Sequence, residues 1–470
     1  MPASKAQRQD VLKHPLSARA LWWLKGYPAS RVLDLLQQSQ WWSRSQLEDF
    51  RSEKLRHLIR HCYEHVPYYR GAMELAGLKP ADFARLSDLP KMPVLTKELV
   101  RINHHRLIAG NVPIARTFET RTGGTTGEPL QIRRQPSEAA WQVQCYVRGL
   151  AWGGLRPGMA RIRLFGGSLP GAPKDSWFQR LAKHFKPDDL FLPAFELGRH
   201  NVAQYVARIR NSGLAHMVGY SSALYLLAVL AEEKGLSTPL QTCYSTAELL
   251  PDAWADKIAR VFSCKVLSYY GCGEVNSLGY QCGQGEGYHR CDEHAVIEVE
   301  DGGSAAFEGE GAFLLTDLDS LTMPFVRYRN GDAGGLSDAP CPCGRGLGRI
   351  TKLHGRVFDY LLNVDGMATP GGYVSFIFRG VDGVLFWQGV QHEPGELAVR
   401  LVTDSGYDAG REEPRIREYF AKHLGRADRI SFEYVHEIER TTAGKIRPVI
   451  NRYLEQHPEL NVMAPPAVAP

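Results

Sequence analysis

The chain is 470 residues long, more than one hydrophobic core usually serves, so two or more domains are expected. Its 44% hydrophobic and 23% charged residues are an ordinary globular composition and exclude a disordered or fibrous chain. The formal charge of +5, from 56 basic against 51 acidic residues, is too small to imply nucleic acid or a membrane surface as partner, though it suits an anionic small molecule.

The first residues, MPASKAQRQDVLKHPLSARALWWLKGY, carry basic side chains but no apolar core of signal-peptide length, and the longest apolar run, Ala223 to Ala231, is too short to span a bilayer. A cytoplasmic protein without stable membrane insertion is expected. Trp22, Trp23, Trp41 and Trp42 are expected to pack against the main domain. Residues 1–117 read as helical. Ser43 or Ser45 can cap a helix in which Leu47, Phe50, Leu55, Leu58, Ile59 and Cys62 recur at near-helical spacing. Prolines in VPYYR, from Val66, and LPKMPVLTKELV, from Leu89, are expected to interrupt helix and hand the chain to an extended region.

Between residues 118 and 355 the β-rich runs ARIRLFG, AHMVGY, CKVLSYYG and AVIEVE alternate with the helical patterns VAQYVARIR and ALYLLAVLAEEKG. This alternation predicts an α/β fold with largely parallel sheets, in which ligands collect at the carboxyl ends of strands. GAFLLTDLDSLTMPFVRYRNGD reads as two strands joined by a turn, with Asp332 closing the second. Residues 356–460 change pattern to a smaller α+β unit, with FDYLLNV, ELAVRLV and ISFEYV as strands around the helix REEPRIREYFAKHLG. The Pro/Ala-rich tail, 461–470, is expected to be disordered.

One stretch organises the rest. Arg121–Leu130, RTGGTTGEPL, holds three glycines, three threonines and a proline, so it can be neither helix nor interior strand. As a loop it offers free backbone N–H groups and hydroxyls that can wrap a polyanion. No lysine follows Gly127, so it is not a P-loop. Four further polar, Gly-marked stretches follow: YGCGE at Tyr270–Glu274, RYRNGD at Arg327–Asp332, HGRVFDYL at His354–Leu361 and TTAGKIR at Thr441–Arg447. In this order the five resemble the core motifs of the adenylate-forming superfamily, which activates carboxylic acids with ATP. Within it the resemblance is to the phenylacetate–coenzyme A ligase-like branch, including capsule-polysaccharide biosynthesis relatives, from about Trp42 to Arg447.

The resemblance implies that residues 1–355 form a large multi-sheet adenylation domain and 356–460 a small mobile lid. It implies that Thr122, Gly123, Gly124, Thr125, Thr126 and Gly127 hold the β- and γ-phosphates of ATP, with Thr126 also catalytic. Glu274, in a turn just after the apolar run CKVLSY, would be a hard oxygen ligand for Mg²⁺. Glu248, Tyr270 and Gly271 would border the nucleotide, Asp332 would accept hydrogen bonds from both ribose hydroxyls, and Arg356 would contact the nucleotide at the domain junction. Lys445 would reach from the lid to the reacting carboxylate and α-phosphate, then withdraw. Taken without the family, Glu274 reads as a surface carboxylate, Asp332 as a turn residue and Arg356 as a solvated side chain.

Two departures bear on this. Phe358 stands where the family often has an acid at the lid pivot, and Gly123 where many members carry serine. The first touches lid rotation, and so the thioester step, more than adenylation.

Nine cysteines, an odd number without short regular spacing, argue against a disulfide framework and for a reducing compartment. Cys282, His289, Cys341 and Cys343 supply a Cys₃His set for a structural Zn²⁺, with Cys291 in reserve; some family members carry a similar site. The alternative is unlinked buried thiols. Cys272, between two glycines, lacks a placeable base and is not read as a nucleophile. Tyr146, Tyr220, Ser221, Ser245 and Ala247 are candidates, by position in the family, to line the acid pocket, which tyrosines would suit to a flat or aromatic acid.

The expected function is ATP- and Mg²⁺-dependent activation of a carboxylic acid, followed by transfer to coenzyme A. Two rivals stand beside it: transfer to another acceptor (amine, hydroxyl, carrier protein or cofactor) in capsule or secondary-metabolite synthesis, and a non-catalytic nucleotide-binding partner.

Overall fold

The computed structural model describes residues 29–121, 130–165, 189–247, 249–356, 360–364, 366, 368–370, 378, 381, 383–439 and 447–457. Its first part is helical: α1 (Ala29–Ser39), α2 (Arg44–His65), α3 (Pro67–Leu75) and α4 (Lys97–Ile102). Ser43 caps α2 by accepting from the N–H of Gln46, whose side chain accepts from Ser43 N–H in return. The predicted apolar face is buried at Leu47, Leu55, Leu58, Ile59 and Cys62. Pro67 does not lead into extended chain as expected. It occupies the first turn of α3, where its missing N–H costs nothing. Trp42 packs edge-on against Phe50 and the guanidinium of Arg345 lies over Trp41, while Trp22 and Trp23 fall outside the described residues.

Two strands, β1 (Phe118–Arg121) and β2 (Gln131–Arg134), pair antiparallel as a separate hairpin. A twelve-stranded sheet then dominates. Its parallel half contains β3 (Ile162–Phe165), β4 (Leu190–Pro193), β5 (His216–Tyr220), β6 (Thr242–Thr246) and β7 (Lys265–Tyr270), in the order β4-β3-β5-β6-β7. Helices α5 (Pro136–Ala151), α6 (Val202–Ser212), α7 (Ser221–Glu233) and α8 (Asp252–Phe262) cover it. Strand alternation sorts the two faces. Ile162, Leu164, Met217 and Cys243 pack against α6, α7 and α8, whereas Val218, Tyr244 and Leu267 pack against α1 and α5. Burial on both faces explains why these strands read as near-continuous apolar runs.

The expectation of largely parallel sheets needs correction. Beyond β7 the sheet continues through β8 (Gly279–Tyr280), β9 (Tyr288–Arg290), β10 (Ala295–Asp301), β11 (Ser304–Ala306), β12 (Gly309–Asp317), β13 (Tyr328–Ser337) and β14 (Arg349–Arg356), all antiparallel to their neighbours. The links between these strands are too short for crossover helices, so only antiparallel pairing is open to them. Asp332 also does not close its strand. It lies inside β13, opposite Arg356 of β14, just after Gly331 turns the backbone with φ +85°.

The C-terminal part forms a hairpin, β15 (Tyr360–Leu362) with β16 (Ala368–Pro370), and a four-stranded sheet in the order β19-β18-β17-β20. This sheet is built from β17 (Val384–Gln391), β18 (Leu397–Thr403), β19 (Ile430–Tyr434) and β20 (Val449–Asn451). Helix α9 (Ala409–Leu424) buries Ile416, Phe420 and Leu424 against Leu397, Val399 and Leu401. Strands β17 and β20 were not predicted. Buried Gln391 joins them to β15, donating to the carbonyl of Leu362 at 2.8 Å and accepting from Asn451 Nδ2 at 2.8 Å. Phe386 of β17 meets the stacked rings of Tyr225 (α7) and Trp254 (α8) edge-on, so the small sheet touches the helical layer that covers the large one. Among the described residues no helix is long and apolar enough to cross a membrane.

Candidate active site

Strand β7 ends at Tyr270, and the chain turns tightly through Gly271 to Ser277. A Cβ at Gly271 would come within 2.9 Å of Ser277 N, so only glycine fits there. The Cys272 N–H donates to the carbonyl of Val275, and its sulfur accepts from Val275 N–H, closing the turn. Burial, then the Glu274 carboxylate, pushes the Cys272 thiol well above its usual range, which removes it as a nucleophile.

This turn brings Glu274 to the carboxyl end of β7, half-buried, as the sequence leads one to expect. Tyr328 Oη donates to its Oε1 at 3.1 Å, and burial followed by Glu274 keeps Tyr328 a phenol. From β13, Tyr328, Asn330 and Asp332 recur at every second position. Tyr270 Oη donates to Asp332 Oδ2 at 2.6 Å, Asn330 Nδ2 donates to the same oxygen at 2.7 Å and to Tyr270 Oη at 2.9 Å, and Asp332 N–H donates to Asn330 Oδ1. Burial, with Asp332 next, raises the Tyr270 pKa, so Tyr270 stays a donor.

Sequence reasoning passed over Arg134 and Asn330. Arg134 is buried at the end of β2, donates to Thr120 Oγ1 at 3.0 Å, and reaches the carbonyls of Gly273 and Glu274. It ties the hairpin to the Glu274 turn. Asn330 was visible as the first residue of Asn-Gly-Asp, yet nothing local says that it points at Tyr270. The Gly/Thr residues Thr122, Gly123, Gly124, Thr125, Thr126 and Gly127, which join β1 to β2, lie outside the described residues, as do Glu248, Phe358 and Lys445. Arg356 is described by its backbone alone, in register with Asp332.

Four of the five acid-pocket candidates, Tyr220, Ser221, Ser245 and Ala247, adjoin at the carboxyl ends of the paired strands β5 and β6, whereas Tyr146 comes from a helix. Ser221 and Ser245 are fully buried and bond hydroxyl to hydroxyl. Ser245 shares its face of the sheet with Cys243, under the α6–α8 layer. Tyr146 of α5 lies on the opposite face, packed edge-on against Tyr269 and accepting from Arg161 at 2.9 Å. Tyr220, the last residue of β5, meets Phe165 edge-on. Ala247 takes φ +71°, a conformation that costs a non-glycine residue roughly 1–3 kcal/mol, just beyond the end of β6.

A second polar cluster lies where the β8–β9 and β13–β14 connections meet. Cys282, His289, Cys341 and Cys343 each bring one donor atom to within 4.8 Å of the others. Cys282 Sγ and Cys341 Sγ are 3.8 Å apart, close to the edge of a tetrahedron with zinc–sulfur bonds of about 2.3 Å. His289 Nε2 is 3.1 Å from Cys343 Sγ, and its buried Nδ1 has no hydrogen-bond partner among the described residues. All nine cysteines are free thiols. A Cβ on Gly285 would come within 2.6 Å of Cys341 Sγ, so the connection closes tightly over the sulfurs. This donor set fits a closed structural Zn²⁺ site.

A helix-covered parallel half-sheet, continued by antiparallel strands that carry the polar turn, is the fold of the adenylate-forming ligases. The crystal structure of 2-hydroxyisobutyryl-CoA ligase in the postadenylation state, in complex with R3-HIB-AMP, is similar with a TM-score of 0.70 and 20% identity, over 89% of this chain and 93% of that one. Phenylacetate–coenzyme A ligase of Thermus thermophilus is 28% identical over 333 residues, 68% of this chain and 72% of its own. Protein CapK of Staphylococcus aureus is 22% identical over 374 residues, 78% and 81% of the two chains. Residues 361–452 match the family model of the CapK C-terminal domain. The chain is therefore similar in sequence to phenylacetate–coenzyme A ligases and to CapK, and shares its fold with an acyl-CoA ligase of the adenylate-forming kind.

Proposed function

We propose that the chain is an AMP-forming acid–thiol ligase. It activates a carboxylic acid with ATP to an acyl-adenylate and pyrophosphate, then passes the acyl group to the thiol of coenzyme A and releases AMP. The observation that carries this reading is the meeting of Tyr270, Glu274, Tyr328, Asn330 and Asp332 beside β2, the strand that follows the Gly/Thr stretch in sequence. Relatives named phenylacetate–coenzyme A ligase and a fold shared with a ligase captured with an acyl-AMP support it.

In this reading Asp332, pre-aimed by Tyr270 and Asn330, accepts the ribose hydroxyls. Thr122, Thr125, Thr126 and the N–H groups of Gly123, Gly124 and Gly127 hold the phosphates, and Arg356 with Glu248 and Gly271 borders the nucleotide. Mg²⁺ bound at Glu274 would offset charge on the leaving pyrophosphate. Lys445 brings a mobile cation to the reacting carboxylate, and residues 356–460 act as the lid that carries it. Tyr146 and Tyr220 border the acid. Cys282, His289, Cys341 and Cys343 hold a structural Zn²⁺ that pins two connections of the antiparallel half.

The test is ATP–pyrophosphate exchange over a panel of aromatic and aliphatic acids, with and without coenzyme A. Exchange with at least one acid, and thioester only when coenzyme A is present, is the expected result; no exchange with any acid would leave a non-catalytic nucleotide-binding protein. Lys445→Ala should abolish adenylate formation while sparing the use of pre-formed adenylate, and equal loss of both would remove Lys445 from its assigned role. A second reading, transfer to a different acceptor, is favoured by the CapK match over residues 361–452 together with Phe358 at the pivot. Exchange without any thioester would select it.

A further inference from the structure

The turn that carries Glu274 is gripped from both sides through its backbone. Arg134 donates to the carbonyls of residues 273 and 274, and beyond them His294 Nε2 stands 3.1 Å from the carbonyl of Asn276. His294 is fully buried, and both its ring nitrogens face acceptors. Nδ1 lies 2.8 Å from Asp319 Oδ2 and 3.7 Å from Asp317 Oδ1. A neutral imidazole has one N–H and would turn a lone pair toward one of these partners. Asp319 is poorly placed to supply the missing proton, because Lys54 Nζ sits 2.6 Å from its other oxygen and favours the carboxylate.

The surrounding groups leave the same answer. Asp317 accepts from Gln142 of α5 and from the N–H of Asp319. The carboxylate of Glu293, next in sequence, is committed to Arg148 and Ser39, while Lys54 also donates to the Glu293 carbonyl. Cys291 is engaged with Cys145. Two carboxylates and one ammonium balance only if His294 carries the second positive charge. Burial alone would lower the His294 pKa, but Asp317 and Asp319 outweigh it and raise it. The donor atoms of His294, Asp317 and Asp319 are close enough for a cation. Both ring nitrogens of His294 already face acceptors and Lys54 already holds Asp319, so the cluster is satisfied by its own side chains.

We propose that His294 is a standing imidazolium and a positioning residue for the ligase reaction: by gripping the Asn276 carbonyl opposite Arg134, it sets the angle at which Glu274 faces the metal–nucleotide complex. The inference rests on the reading of Glu274 as the Mg²⁺-facing carboxylate.

Two near-isosteric variants separate its two bonds. His294→Gln keeps a donor where Nε2 stood, and His294→Asn keeps one where Nδ1 stood. The half-saturating Mg²⁺ concentration in ATP–pyrophosphate exchange should rise about tenfold or more in H294N, as for other outer partners of metal ligands, and far less in H294Q. A residue that merely fills the core would destabilise both variants without separating their Mg²⁺ dependence, and that outcome overturns the proposal. If H294N does not fold, nitrogen-15 NMR of the histidine-labelled wild-type chain at about pH 8, where an unperturbed histidine is neutral, decides the matter. The resonance pair lost in H294Q should report both ring nitrogens protonated; a neutral ring there refutes the proposal. This measurement needs no substrate, so it succeeds or fails separately from the ligase assignment, which exchange by the unaltered chain judges.

Discussion

The cysteine–histidine cluster and the Glu274 turn are both polar groups set into the antiparallel half of the large sheet, and both draw on the chain around β13. They differ in what they leave open. In the first, four donors converge within 4.8 Å, buried, with Gly285 closed over a sulfur. In the second, Glu274 and Asp332 are half-buried carboxylates that accept hydrogen bonds from the neutral side chains of Tyr328, Tyr270 and Asn330. A buried donor set turned inward serves the fold. A partly exposed carboxylate, oriented by such donors, can meet a cation or a donor that arrives with a ligand.

The contrast can be broken at either end. The largest effect is expected from Cys282→Ser or exhaustive chelation: zinc content by atomic emission should fall from about one equivalent to none, and thermal unfolding should show loss of the folded chain, since ligand binding at structural zinc sites is folding energy. Next comes Glu274→Gln, which should cut ATP–pyrophosphate exchange roughly a hundred- to thousandfold while leaving thermal unfolding nearly unchanged. If Glu274→Gln destabilised the chain as much as Cys282→Ser, the proposed division of labour between the two clusters would be wrong. Smallest is Tyr328→Phe, which removes one hydrogen bond to a charged partner, worth about 1.5–3 kcal/mol, and should weaken exchange without altering zinc content. An equal loss of zinc in that variant would mean that the two clusters are coupled through β13.

Much of this was readable from the chain. The capping box at Ser43, the buried stripe of α2, the strand–helix alternation through β7, the turn that carries Glu274 and the four cysteine and histidine donors all follow from spacings within a dozen or so residues or from residue types with few other uses. What escaped was set by distant partners. Arg134 was invisible as a clamp because its carbonyl acceptors lie 139 and 140 residues away. Arg327, read only as part of a motif, bonds Glu298 and the carbonyls of Pro90 and Met92, 237 and 235 residues before it. Strand β17 hid because it ends on Gln391, a residue that reads as exposed until its partners on β15 and β20 are known.

The sequence by itself determined the resemblance to a family, the order of the polar stretches and the type of chemistry they can support, because local periodicity and residue chemistry act over short spans of chain. Only the tertiary structure decided that half the sheet runs antiparallel, that Ser221 and Ser245 satisfy one another instead of sharing a face with Tyr146, and that a buried histidine lies under the Glu274 turn. Those outcomes depend on which hydrogen-bond partners and faces meet across the fold, and no short stretch of sequence carries that information.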